Sequence, residues 1–415
     1  MKDAVVVTGI GVVSPLGTGE GAAWRALTSG DVGIRALSDD DERLQRGVDP
    51  NPLPQIGRAG WVRGFHPREH VRSPHLRRMD WCSRMLVAAV RQAFAAAGLE
   101  PLDEPARRRT ALVVGSALGN QRETATYLDR VLGTGLGAAQ PMVFPNLVLN
   151  ASAGYAAIEL GIEGPNLCVA EHEASGEAAV AAAHDLLASG ACDVACAAGV
   201  DEISAFLVDE LERRRLLHPE SMSLAQQRRA RGSRRGLRGR LIPGEGAAAL
   251  VLERASHAHA RAARARAVLS AARIGSVPAS AYGFPRDADT AAVRLLEIAG
   301  GESGAISGVV GGASGVPARD RIEGAVLRLL VQRGGAGVGY CDFKHLAGEW
   351  GAAGCLGAAL AVLALEHGVL PGGPGPDGEE VAEVRAPRRL LVPGVARGGA
   401  LAPLVLDAAA RTARG

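Results

Sequence analysis

Short apolar runs of strand length alternate with helical stretches along the whole chain, and this alternation limits the fold more than any other feature. Val5-Val6-Val7 is β-branched and reads as a buried strand that enters a loop at Thr8-Gly9-Ile10-Gly11. Residues 80–97 place Leu86, Val87, Val90 and Phe94 on one helical face, with Gly98 as the stop. Residues 111–115 read as a strand. Residues 167–173 read as a strand, 174–189 as an Ala-rich helix and 192–198 as a further strand. Residues 246–253 form another strand. In the second half, Val309-Val310-Gly311 is a strand, and the helix 319–333 carries Ile322, Ala325, Val326, Leu329 and Leu330 on one stripe. A Gly/Ala-rich helix follows at about 352–366, and 401–406 closes the chain as a strand. Strands alternating with helices indicate an α/β architecture. The Ala/Arg connector 254–266 divides the chain into two similar halves, 1–253 and 254–415, as an internal duplication would.

Composition narrows the function. The chain has 415 residues, enough for a sizeable core, but only 3% are aromatic, so that core is built from Ala, Val and Leu. A net charge of +2 argues against a nucleic-acid binder. Six cysteines, at 82, 168, 192, 196, 341 and 355, form no C-x-x-C pair, and Cys192 and Cys196 have the wrong spacing for a zinc knuckle. They read as small buried residues in a reducing compartment. The Gly9/Gly11 pair lacks the third glycine of a dinucleotide loop, and Pro15 stands where a helix should open, so a structural glycine turn is expected. The apolar run 350–365 falls short of the ~18 residues a membrane span needs. The N-terminus does not resemble a signal peptide. The expectations are therefore a cytoplasmic protein with no cofactor, metal or membrane contact. Lysine occurs only at Lys2 and Lys344, which singles out Lys344.

Several segments, in order, resemble the β-ketoacyl synthase branch of the thiolase superfamily. They are the opening 5–17, Arg78-Met79-Asp80, Ala97-Gly98-Leu99, Gly164-Pro165-Asn166, Ala174-Ser175-Gly176, Ser189-Gly190-Ala191-Cys192-Asp193-Val194 and Pro243-Gly244-Glu245-Gly246-Ala247. The resemblance covers nearly all the chain. It implies a thiolase fold: duplicated βαβαβαββ halves in a five-layered αβαβα arrangement. Catalysts of this family carry an acyl chain on a cysteine at a helix N-terminus, where the helix dipole favours the thiolate. Two histidines stabilise the enolate formed as a malonyl unit on an acyl carrier protein loses carbon dioxide, and a lysine supports them.

This sequence departs from that pattern at the acting positions. Glu173 stands at the cysteine position, within Ala170-Glu171-His172-Glu173. Gly312 takes the first histidine position, in Gly311-Gly312-Ala313-Ser314-Gly315-Val316-Pro317, with Asp320 and Glu323 keeping the frame. Lys344 survives, but Lys344-His345-Leu346-Ala347-Gly348 is followed by Glu349 rather than histidine. The family's Gly-Phe-Gly-Gly loop reads Ala396-Arg397-Gly398-Gly399, with Arg397 at the phenylalanine position. The resemblance then implies neither condensation nor decarboxylation by this chain alone. It implies a chain-length factor, which forms a heterodimer with an active ketosynthase and shapes the acyl tunnel of a type II polyketide, polyene or fatty-acid-like synthase.

Two alternatives stand beside this. One is a repurposed thiolase-fold acyltransferase or hydrolase using Glu173, His345 or Glu349. The other is a non-enzymatic scaffold that binds acyl carrier protein. Glu173 reads as a helix cap, or as the partner of an arginine such as Arg397. In a strand, His172 and Glu173 point to opposite faces, so they form no dyad. Cys168, inside the strand, is read as structural. Tyr127, Met142, Phe144 and Tyr155 are candidates for the interface and tunnel wall, or plain core. The stretch 213–240 holds ten arginines. It is either a solvated loop or a docking patch for an acidic carrier protein, with Arg228, Arg229, Arg231, Arg234 and Arg235 as candidates.

Overall fold

A computed structural model describes residues 3–37, 53, 56–71, 74–222, 240–300, 306–313, 315–334 and 337–410. Ten strands build its large sheet: β1 (Val5–Ser14), β2 (Thr110–Gly115), β3 (Asn166–Val169), β4 (Val194–Asp201) and β5 (Gly246–Arg254), then β6 (Ala267–Ala272), β7 (Gly308–Gly311), β8 (Gly339–Asp342), β9 (Arg389–Val392) and β10 (Leu404–Ala408). Their order is β8-β7-β9-β10-β6-β1-β5-β4-β2-β3, with the short strand Gly17–Thr18 hairpinned onto β1. Read outward from the β1–β6 junction, each half gives the same series: its first strand, then its fifth, fourth, second and third. Each half also has the same directions, two antiparallel pairs followed by two parallel ones. The duplication that no residue-level repeat displays is thus written in the topology.

Six helices matter for the site: α1 (Trp81–Ala96), α2 (Ala151–Leu160), α3 (Ser175–Ala188), α4 (Ala288–Ile298), α5 (Pro317–Gly334) and α6 (Gly354–His367). Strand alternation sorts the core between layers. On β2, Ala111 and Val113 join a central cluster with α3 and α6, while Leu112 and Val114 pack on α1 and α2. In the second half, Val310 and Leu390 face the central helices, and Val309 and Leu391 face α4 and α5. The result is five layers, helix–sheet–helix–sheet–helix, with α3 and α6 buried in the middle. Among the described residues, no helix is long and apolar enough to cross a membrane.

Several expectations need correction. The first strand does not stop at Thr8 but runs to Ser14, with a register shift between Val7 and Gly9. Gly9 and Gly11 are strand residues, not a turn. A side chain on either would run into the backbone oxygens of Ala93 and Ala89, so the glycines let α1 lie close on the sheet. The strand expected over 167–173 ends at Val169, and the closing strand 401–406 is broken into Ala400–Leu401 and β10. The connector 254–266 contains a short helix, Ala255–Ala260.

Candidate functional site

After β3 the chain turns through His172, at φ 47°, into a single 3-10 turn and then α3. Ser175 fixes the turn: its hydroxyl accepts the Glu171 N–H at 3.0 Å and donates to the His172 carbonyl at 2.7 Å. His172 is left exposed and Glu173 half-buried. The two stand in a turn, so the strand argument against a dyad does not apply; both line one cavity, where Glu173 is taken up by Arg397. The Glu173 carboxylate does not cap α3. Its Oε1 lies 2.8 Å from Arg397 Nε, and its Oε2 accepts the Arg397 backbone N–H at 3.1 Å. The Arg397 guanidinium also lies 5.9 Å from the centre of the Phe284 ring, a cation–π contact.

Behind this pair lies a buried charge cluster. Lys344 opens a short helix after β8, where Asp342 accepts the backbone N–H groups of Lys344 and His345. Lys344 points inward and is buried; His345 is exposed, away from Glu173. Lys344 Nζ donates to both oxygens of Glu349, at 2.8 and 2.9 Å. Arg319, from the first turn of α5, donates to Glu349 Oε2 at 2.7 Å and lies 3.5 Å from Glu323. Glu323 Oε2 in turn accepts the Gly312 N–H at 2.9 Å and the Tyr340 hydroxyl at 2.8 Å. Burial, then Glu323, pushes the Tyr340 hydroxyl well above its ordinary range. Burial disfavours the Arg319 charge, but Glu349, Glu323, Glu177 and Glu173 together hold it above the usual arginine value. A Cβ on Gly312 would stand 2.9 Å from Lys344 Cε and 3.0 Å from Arg319 Nη2. An imidazole there would require both side chains to shift.

Glu173, Arg397 and Glu349 meet at a cavity of about 140 Å³ whose apolar walls include Phe206, Phe284 and Trp350. Gly312 and Lys344 sit behind it. Each of the three carboxylates lining the cavity is held by a cation: Glu173 by Arg397, Glu349 by Lys344 and Arg319, and Glu210 by Arg214. Sequence reasoning missed Arg319, Tyr340 and Glu177, although two of them carried a signal. Arg319 is three residues before Ile322 and seven before Val326, so it lies on the apolar stripe of its helix. Glu177 is likewise three residues before Val180 and four before Ala181 on α3.

The interface candidates are spread over an irregular surface beside the edge strand β3. Met142 and Phe144 are exposed, not core. Tyr127 lies 6.3 Å from Phe144, ring centre to ring centre. Tyr155 donates to Asn146 Oδ1 at 3.0 Å. Leu132 and Leu136 nearby are 82% and 83% exposed, and Ile158 and Leu167 add to the same apolar face. Arg228, Arg229, Arg231, Arg234 and Arg235 lie outside the described residues.

The family model of the β-ketoacyl synthase N-terminal domain matches residues 2–258. The Streptomyces coelicolor protein assigned as β-ketoacyl synthase 1 of the actinorhodin polyketide is 32% identical over 399 residues, covering 89% of this chain and 79% of the relative. The mitochondrial 3-oxoacyl-[acyl-carrier-protein] synthase of Arabidopsis thaliana is 27% identical, covering 88% of this chain and 82% of its own length. Among solved structures, the ishigamide ketosynthase/chain length factor superposes with a TM-score of 0.80 at 26% identity, covering 99% of this chain and 100% of that one. Motif order, duplicated topology and these likenesses agree: the chain belongs to the β-ketoacyl synthase family.

Proposed function

We propose that this chain is a non-condensing ketosynthase-like subunit, a chain-length factor, that pairs with an active β-ketoacyl synthase and bounds the acyl tunnel of a type II polyketide, polyene or fatty-acid-like synthase. The observation that carries this reading is the occupation of the catalytic positions. A carboxylate clamped by Arg397 stands where the thiol belongs, and Gly312 and Glu349 stand at the histidine positions, Glu349 bound to Lys344 and Arg319. Such a site can accept no acyl group as a durable thioester and can polarise no malonyl carbonyl through imidazole. The exposed apolar side chains of this region, Leu132, Leu136, Met142, Phe144, Ile158 and Leu167, support association, since exposed apolar surface marks interaction sites. Carrier-protein docking is proposed at Arg228, Arg229, Arg231, Arg234 and Arg235.

The test is co-purification with a cysteine-bearing ketosynthase, followed by malonyl-carrier condensation assays on each subunit alone and on both. Turnover is expected only from the pair, as a 1:1 complex. An acyl adduct on the isolated chain would overturn the reading. A second measurement addresses the surface. Leu132→Asp with Leu136→Asp should leave the fold intact, because both side chains already face solvent. It should weaken the complex by about 100-fold or more, read by size-exclusion chromatography with light scattering.

A further inference from the structure

The cluster behind Glu173 holds more acid than base. Its cations are Arg319 and Lys344; Glu349 binds both, and Glu323 lies beside Arg319. Those two carboxylates balance the two positive charges. Two more acids face the same volume. Asp342 sits under Lys344, and burial, then Glu323, pushes it well above the usual carboxylate range. The other is Glu177 on α3.

Glu177 is only 3% exposed, and its Oε2 finds no hydrogen-bond partner among the described residues. It sits against the first turn of α6 at Gly354, where any side chain would collide with the carboxyl group. The groups that face it are Lys344 from its short helix, Arg319 from α5, Glu349 from the loop between the short helix and α6, and Cys355 from α6, with Cys196 of β4 behind Cys355. Neither cation is left over to neutralise it.

We propose that Glu177 is a proton-linked latch between the two central helices: neutral, it seats α6 on α3, and ionised, it loosens that seat and the cavity wall above it. Burial is the main cause of its shift; it raises the carboxyl from 4.5 to about 7 against the opposing pull of Lys344 and Arg319. The sign follows. The folded chain holds a proton that the unfolded chain has released between those two values. The latch's contribution is complete below about pH 4.5, falls as the pH rises, and is gone above about 7. Over that interval the folding equilibrium should drop by about 300-fold, tenfold for each pH unit.

The test compares urea unfolding of the full chain and of Glu177→Gln from pH 5 to pH 8.5. Wild type is expected to lose stability relative to the variant as the pH rises, most steeply below pH 7. Parallel curves would overturn the proposal. The infrared carbonyl band of a protonated carboxylic acid gives a second readout. A band titrating near pH 7 in wild type and missing from Glu177→Gln supports the latch. Should the variant not fold, a wild-type spectrum with no such band at pH 6 rules a neutral Glu177 out and overturns the proposal.

Discussion

Glu349→Ala is expected to cost about 3–5 kcal/mol of folding stability, the largest loss of any single truncation in this cluster. Glu349 is 8% exposed and is held by Lys344 and Arg319, which are themselves buried, Arg319 at 1%. Removing the carboxylate leaves two buried cations with Glu323 as their remaining fixed counter-charge. A buried ion pair adds little when intact, but breaking it on one side exposes the full desolvation cost of the other. Glu349→Gln should lose nearly as much, because it keeps the shape and removes the charge. A surface pair such as Arg294–Glu297 gives the contrast: both members are about half exposed, and its removal should change stability little. The variant should also alter the pH response. With two cations and only one fixed carboxylate, Glu177 becomes the missing counter-charge and should ionise at lower pH. Chemical denaturation at pH 7 measures the first effect, and its pH dependence the second. A loss below about 1 kcal/mol would mean that water enters the cluster and relieves both cations.

The sequence made the layers legible and left the charges inside them obscure. β-Branched runs and Ala-rich helices identified most elements, because buried strands and central helices carry strong apolar periodicity. The strand expected through residue 173 shows where that signal was over-extended. Ala170-Glu171-His172-Glu173 carries too many polar groups for a buried strand, and the chain turns after Val169. The glycines of β1 misled in the other direction. A Gly-x-Gly beside a strand resembles a turn until the partner helix is seen on it. The family positions brought out Glu173, Gly312, Lys344, Glu349 and Arg397, and the geometry gathers all five around one cavity and the cluster behind it. Arg319 and Glu177 were harder to recognise, since a charged residue on an apolar stripe is more often read as a break in the pattern than as a buried partner. The exposure of Met142 and Phe144 was not legible at all, because it depends on which neighbours the irregular segment 135–150 leaves uncovered.

Glu173→Cys combined with Gly312→His and Glu349→His is expected to yield neither condensation nor malonyl decarboxylation, despite restoring all three catalytic side-chain types. The obstacle is the salt-bridged cluster around those positions. At position 312 even the first side-chain carbon meets Lys344 and Arg319 at about van der Waals distance or less, and a ring beyond it would displace both. Forcing extra atoms into a filled site costs about 1–3 kcal/mol and moves the backbone. The Glu349→His change adds to this by removing the acid that holds those cations. Whatever imidazole enters then lies beside two cations that have lost the carboxylate they shared and is driven off a productive position, where a misplacement of about 1 Å can cost 100-fold. Loss of properly placed acid–base groups removes a further 100- to 10,000-fold, roughly. Activity should therefore stay at background, while Arg397, deprived of Glu173, leaves the new thiol beside a guanidinium that favours its thiolate. Such a thiol should alkylate rapidly with iodoacetamide yet turn nothing over. Adding Arg319→Ala to the triple variant removes the group that blocks the first ring, and any gain in carbon dioxide release from malonyl carrier protein should appear only in that fourth step. Release by the triple variant itself would show that the cluster yields to an imidazole, and that the missing side chains alone keep this subunit silent.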